Sequence, residues 1–203
     1  MAPAIRVKNL TKAYGDKEVL HDVSFDVQKG EIFGLLGVNG AGKTTTLECL
    51  EGLLTYQAGE VIRNGSIGVQ LQSTSLQEGI RAKEALELFA HWNHVKVNHS
   101  FLEKLRITLF LNTSYKELST GQKRRLHLAL ALIGNPDILF LDEPTAGLDV
   151  EGRAALHEET RNLKQQGKTI VMSSHDMAEV EELCDTIGIL KQGKLAFLGS
   201  PQK

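Results

Sequence analysis

"GVNGAGKTT", Gly37 to Thr45, fills every fixed position of the pattern G-x-x-x-x-G-K-[ST]. The run before it, "EIFGLLG", is continuously apolar and ends in glycine, as a strand buried on both faces does. From Gly42 to Leu54 the apolar spacing turns helical. Strand, glycine-rich loop and helix in that order make a phosphate cradle. The glycines let the loop wrap so that backbone N–H groups point inward, and the helix start adds the positive end of its dipole. The candidate binding residues are therefore Gly37, Asn39, Gly40, Ala41, Gly42, Lys43, Thr44 and Thr45. Among them Lys43 reaches β- and γ-phosphates, and the Thr44 hydroxyl is placed to ligate Mg²⁺.

Outward from this loop the chain alternates strands and helices. "IRVKNL" and "VLHDVSFDVQKG" read as half-buried strands before it. Short extended pieces follow near Glu60–Ile62 and Ile67–Leu71, then a mixed helical stretch between about Glu78 and Tyr115. Beyond it come a helix from Thr120 to Ile133, the strand "DILFLDEP", a helix from Ala154 to Gln166 stopped by Gly167, and the strand "TIVMSS". A helix from Met177 to Leu183 and a hairpin turning at Gln192-Gly193 complete the pattern. This order predicts a single α/β domain, largely parallel, with flanking helices, an N-terminal antiparallel β subdomain and a helical subdomain over about 73–125.

Bulk properties narrow the function classes. The 203 residues carry 23 basic and 25 acidic side chains, so no global field marks nucleic acid or anionic lipid. The run Lys123-Arg124-Arg125 reads as a solvated helix face. Cys49 and Cys184 stand far apart in apolar-periodic segments, as buried thiols in a reducing compartment do. The start "MAPAIRVKNL" lacks a secretory apolar core, and no apolar run is long enough to span a bilayer. The expectation is a cytosolic chain whose membrane role, if it has one, runs through another chain.

Three further stretches carry chemistry. "ILFLDEP" is a buried strand, expected beside the phosphate-loop strand, whose carboxyl end delivers Asp142 to the Mg²⁺ site. Glu143, one step on, can face a water behind the γ-phosphate and take its proton. His175 ends "TIVMSS" at another carboxyl end, where a γ-phosphate contact is expected. In "KELSTGQKRR", Ser119 and Gln122 can form a capping box. Gly121 in the first turn costs about 1 kcal/mol against Ala, which capping alone does not explain. An anion approaching the backbone does explain it.

The phosphate loop, "VQLQS", "LSTGQ", "ILFLDEP", "AGLD" and "SSHD" occur in the order and approximate spacing found in ATP-binding cassette (ABC) transporter ATPase subunits, which the chain resembles over nearly its whole length. The resemblance implies a P-loop NTPase fold, ATP and Mg²⁺ as ligands, and hydrolysis of ATP. It implies that Tyr14 stacks on adenine and that Gln72 is the residue touching Mg²⁺ or the attacking water, with Gln70 the competing alignment. It implies that Asp149 crosses a dimer interface and that Glu143 is the catalytic glutamate. "LSTGQ" resembles the family's signature sequence, so Ser119, Gly121 and Gln122 are expected on the γ-phosphate held by the opposite subunit.

Three features depart from the family pattern. Thr120-Gly121 replaces the usual Gly-Gly, the stretch between Glu60 and Ile67 is short, and the chain stops at "GSPQK" where members usually continue. The expected function is that of an ATP-hydrolysing subunit driving a separate transmembrane permease, as a homodimer or heterodimer on the cytoplasmic membrane face. Its "VQLQS" and "SSHDMAEVEELCD" wording is most like cassettes of small-molecule or drug exporters; no nucleic acid partner is expected. The rivals are a regulatory cassette with negligible turnover and a soluble cassette ATPase outside transport.

Overall fold

In the computed structural model the alternating N-terminal segments form β1 (Ile5–Tyr14) and β2 (Lys17–Val27), an antiparallel pair. Residues 2–70, 76–97 and 99–201 are described. Gln72 lies outside the described residues. All five residues of β3 (Ile32–Leu36) are buried, as the continuous apolar run requires. The helix α1 (Lys43–Glu51) follows the phosphate loop and stops at Gly52, whose φ of 81° no other residue adopts cheaply. It is shorter than the apolar spacing suggests. The strand β4 (Ala58–Arg63) then pairs with the free edge of β1, giving a three-stranded antiparallel sheet ordered β2-β1-β4.

The second sheet is built from β5 (Ile67–Gln70), β6 (Ile138–Asp142), β7 (Thr169–Ser174), β8 (Thr186–Lys191) and β9 (Lys194–Gly199) around β3. Its order is β5-β6-β7-β3-β8-β9, parallel except for the edge strand β9. This corrects one expectation. The strand carrying Asp142 is not beside the phosphate-loop strand, because β7 hydrogen-bonds to both and separates them. Alternation along β3 sends Phe33 and Leu35 to one apolar cluster, and Ile32 and Leu36 to the other. Phe25 of β2 stacks on Phe33 with centroids 4.9 Å apart, so the small sheet is clamped onto the large one.

Between β5 and β6 the chain is helical: α2 (Ala82–Trp92), α3 (His99–Lys104), single 3₁₀ turns at Thr108–Phe110 and Tyr115–Glu117, and α4 (Thr120–Leu132). The basic run on α4 is not a solvated face. Lys123, Arg124 and Arg125 are each half-buried, with the Lys123 ammonium 4.9 Å over the Tyr115 ring and the Arg125 guanidinium 5.8 Å over Phe110. Long basic stems cover apolar surface while rings hold their charged ends. Under them His127 is buried, its Nε2 3.0 Å from the Tyr115 hydroxyl, and burial plus Arg124 and Lys123 push its pKa down to about 4.

Two helices flank the last parallel strands: α5 (Val150–Gln165) and α6 (Met177–Leu183). The former begins four residues before its apolar periodicity, because Asp149 caps it by accepting from Gly152 N at 2.8 Å. Both cysteines are buried and free, their thiol pKa values raised to about 11 (Cys49) and about 12 (Cys184), chiefly by burial.

Candidate functional site

The loop between β3 and α1 wraps because Gly40 (φ 78°) and Gly42 (φ 107°) take left-handed conformations. It is braced from behind. Gly193 N donates to Ala41 O at 3.0 Å and His21 N donates to Gly193 O at 2.8 Å, so the two hairpins hold the loop's back. A Cβ on Gly42 would lie 2.8 Å from Leu20 Cδ2 of β2, so that side chain would have to shift, in addition to the strain set by φ. No acidic residue stands in the first turn of α1, which leaves its positive end open to an anion. Lys43 is 5% exposed and folds back to donate to Gly37 O at 2.7 Å.

At the carboxyl end of β6, Asp142 is buried and accepts from Thr44 Oγ1 at 2.9 Å through one oxygen. Its other oxygen accepts from Ser173 Oγ, which itself accepts from Glu143 N at 2.9 Å. One buried hydroxyl thus fixes two successive acidic residues. Glu143 has φ 45°, a left-handed value that costs a non-glycine residue about 1–3 kcal/mol and that clusters at functional sites. Its Oε1 stands 3.4 Å from Lys43 Nζ and 3.4 Å from His175 Nδ1. The structure therefore brings together the phosphate loop, Asp142, Glu143 and His175. Asp142 reaches Thr44 even with β7 intervening, because α1 packs across the sheet towards β6.

A hard cation fits this donor set. The Thr44 hydroxyl and the Asp142 carboxylate are neighbouring oxygen donors of the kind Mg²⁺ takes alongside phosphate oxygens. The negative charge is felt down α1. The Glu48 carboxyl is raised from its ordinary pKa by burial and by Asp142, and that of Glu51 is raised to about 7 by burial, Asp142 and Glu48.

Other predicted site residues stand on separate elements. Tyr14 ends β1, half-exposed, with Lys12 Nζ 4.9 Å over its ring, and it pairs with Lys17, two residues from the β2 segment that touches Gly42. Gln70 ends β5 opposite Leu141, 1% exposed, its amide atoms without a hydrogen-bond partner among the described residues. Ser119 is engaged locally: its Oγ accepts from Gln122 N at 3.2 Å, and its N donates to Gln122 Oε1 at 2.8 Å. The capping box is therefore formed, and it does not involve the phosphate loop. Among the described residues a Cβ on Gly121 would meet only Leu148 Cδ2, at an ordinary 3.8 Å, so packing against them does not require glycine. Asp149 adjoins this Leu148 segment as the cap of α5.

Sequence reading missed Ser173. Its signal was a hydroxyl at the end of an otherwise apolar strand, where a buried polar group must find a partner.

A phosphate loop braced at the carboxyl edge of a parallel sheet, with metal-type oxygen donors and a carboxylate beside its lysine, defines a P-loop nucleoside triphosphatase. The ABC transporter family model matches residues 20–146. An uncharacterized ABC transporter ATP-binding protein of Methanocaldococcus jannaschii is 42% identical over 98% of this chain and 78% of its own length. The Nod factor export ATP-binding protein I of Burkholderia orbicola is 38% identical, over 97% of this chain and 71% of its own. The linearmycin resistance ATP-binding protein LnrL of Bacillus subtilis is 35% identical, over 97% and 69%. The solved ATP-binding subunit of an ABC transporter superposes with a TM-score of 0.87 at 28% identity, covering 97% of this chain and 90% of that one. The chain belongs to the ABC transporter family and is one of its ATP-binding, ATP-hydrolysing cassettes.

Proposed function

We propose that this cassette drives export by a separate membrane permease and hydrolyses ATP at composite sites formed by two cassettes. Export is supported by the names of two relatives, one of Nod factor export and one of linearmycin resistance. The observation that carries the hydrolytic mechanism is Glu143 Oε1, 3.4 Å from both the phosphate-loop lysine and His175. In the working site, Lys43 leaves Gly37 O for the β- and γ-phosphates. Thr44 and Asp142, with Gln72, would hold Mg²⁺, whose charge would offset that of the phosphate oxygens when it is bound. Glu143 orients the attacking water and takes its proton, while His175 contacts the γ-phosphate and Tyr14 stacks on adenine.

The second cassette supplies Ser119 and the Thr120–Gly121 backbone to the γ-phosphate, with Asp149 at the interface. Two features support a covering partner. Gly121 has no packing reason among the described residues, and Val38 in the phosphate loop and Val150 beside the α5 cap are 73% and 84% exposed. Replacing Glu143 with Gln should preserve ATP binding, reduce phosphate release by at least about 100-fold and trap an ATP-bound dimer. Native turnover in that variant would move the base to another residue.

A further inference from the structure

His175 is 56% exposed, so packing does not orient it. Its position is set by the backbone on either side, at Ser174 and Asp176. Ser174 is 2% exposed, its carbonyl accepts from Gly37 N at 3.3 Å, and its Oγ accepts from Asp176 N at 3.0 Å. That hydroxyl donates to Glu179 Oε2 at 2.6 Å. Glu179 is itself 6% exposed, and its other oxygen lies 3.5 Å from Nε2 of buried His157 on α5. Neither of those two atoms has a hydrogen-bond partner among the described residues. Nδ1 of His157 faces Glu182 at 3.3 Å. A buried carboxylate is costly unless it is paired, so this arrangement calls for a purpose.

The contact continues on both sides. Arg153 of α5 lies 3.6 Å from Asp176, and Arg161 pairs with Glu182. Basic groups spaced about one turn apart on α5 thus meet acidic groups spaced three apart on the His175 loop and α6. The exposed rungs are worth little individually. The buried rung is the one that reaches Ser174.

We infer that Ser174, Glu179 and His157 are positioning residues for the hydrolytic reaction. They fix the His175 loop against the phosphate loop and join it to α5, the helix capped by Asp149. The inference rests on the hydrolytic reading of the Glu143–His175 site. Ser174 shares its single proton with Glu179, which leaves a lone pair for Asp176 N; without Glu179 the hydroxyl rotates and the turn around His175 loosens. A displacement of about 1 Å at a catalytic group costs up to about 100-fold in rate.

The test measures kcat, KM and equilibrium ATP affinity on the full chain carrying Ser174→Ala, Glu179→Ala or His157→Ala. Each should lower kcat, by about 10–100-fold for the first two, with KM and ATP affinity unchanged. Ser174→Thr, which keeps the hydroxyl, should restore the native rate. In a His175→Ala background the added Ser174→Ala or Glu179→Ala change should cost nothing more, because both act through the residue already removed. Additive losses, or native kcat in Ser174→Ala, overturn the inference; native kcat in His157→Ala removes that residue from it. If Glu179→Ala does not fold, the smaller Ser174→Ala change carries the decision. Equal phosphate release by the native chain and Glu143→Gln would instead sink the hydrolytic assignment, and this inference with it.

Discussion

Glu51 closes α1 with only 6% of its surface exposed and with Oε2 lacking a hydrogen-bond partner among the described residues. Burial first, then Asp142 and Glu48, raise its pKa from 4.5 to about 7. A carboxyl raised in the folded state binds its proton more tightly there than in the unfolded chain. Its contribution is therefore intact below pH 4.5, is lost as pH rises towards 7, and is absent above that. Over this window the loss is on the order of 3 kcal/mol. Glu51→Gln should match the native chain in stability near pH 4.5 and exceed it progressively up to pH 8, as read by urea denaturation at each pH. A parallel pair of pH–stability curves would mean that Glu51 ionises freely in the fold. The same charge cluster shows why Asp142 could be read from sequence as a metal-site acid whereas its effect on α1 could not. The first follows from a strand-end position, the second from helix packing.

Among the elements, the contact of α4 with β5 depends on one glycine. A Cβ on Gly68 would lie 2.2 Å from the Ala131 backbone oxygen and 2.7 Å from Pro136 Cγ. Neither neighbour is the free end of a flexible side chain, so Gly68→Ala must push the helix off the strand. The expected cost is about 3 kcal/mol or more, at the upper end of overpacking, read as a lowered urea midpoint. Gly79→Ala, which meets nothing within 4 Å among the described residues, should stay within about 0.5 kcal/mol of native. Equal midpoints for the two variants would show that α4 adjusts without cost. The existence of both elements was legible from period and capping, down to the Ser119–Gln122 box. Their distance of approach was not, since a glycine in a short strand looks the same whether it faces solvent or a helix.

At the scale of the whole molecule, the signature segment and the phosphate loop of one chain serve different nucleotides in the proposed dimer. Gly121→Ala should leave the isolated chain as stable as native, or up to about 1 kcal/mol more so through helix propensity, yet reduce hydrolysis. Lys43→Ala and Ser119→Arg should each be inactive alone. Mixed, they form one composite site with both lesions and one with neither, so hydrolysis should reappear. Phosphate release by the mixture, with crosslinking near Ser119 to Lys43 in ATP, measures this. A mixture that stays inactive, in dimers that form but do not crosslink, returns Ser119 to a capping role only.

Element types, and which polar residues stand at the strand ends, follow from sequence alone. Period and turn chemistry are local, and the phosphate loop draws its donors from consecutive residues between β3 and α1. Asp142, Glu143 and His175 were legible because strand ends in a parallel sheet converge on one edge whatever the strand order. The strand order itself, with β7 between β6 and β3, came from packing, since neighbouring strands here lie far apart in the chain. Tertiary packing alone half-buried the basic run of α4 and set Lys123 and Arg125 over aromatic rings. It alone set Ser173 between two acids and Glu179 between Ser174 and His157. Hydroxyls and carboxylates have no period to read, and their partners are chosen by which elements pack together.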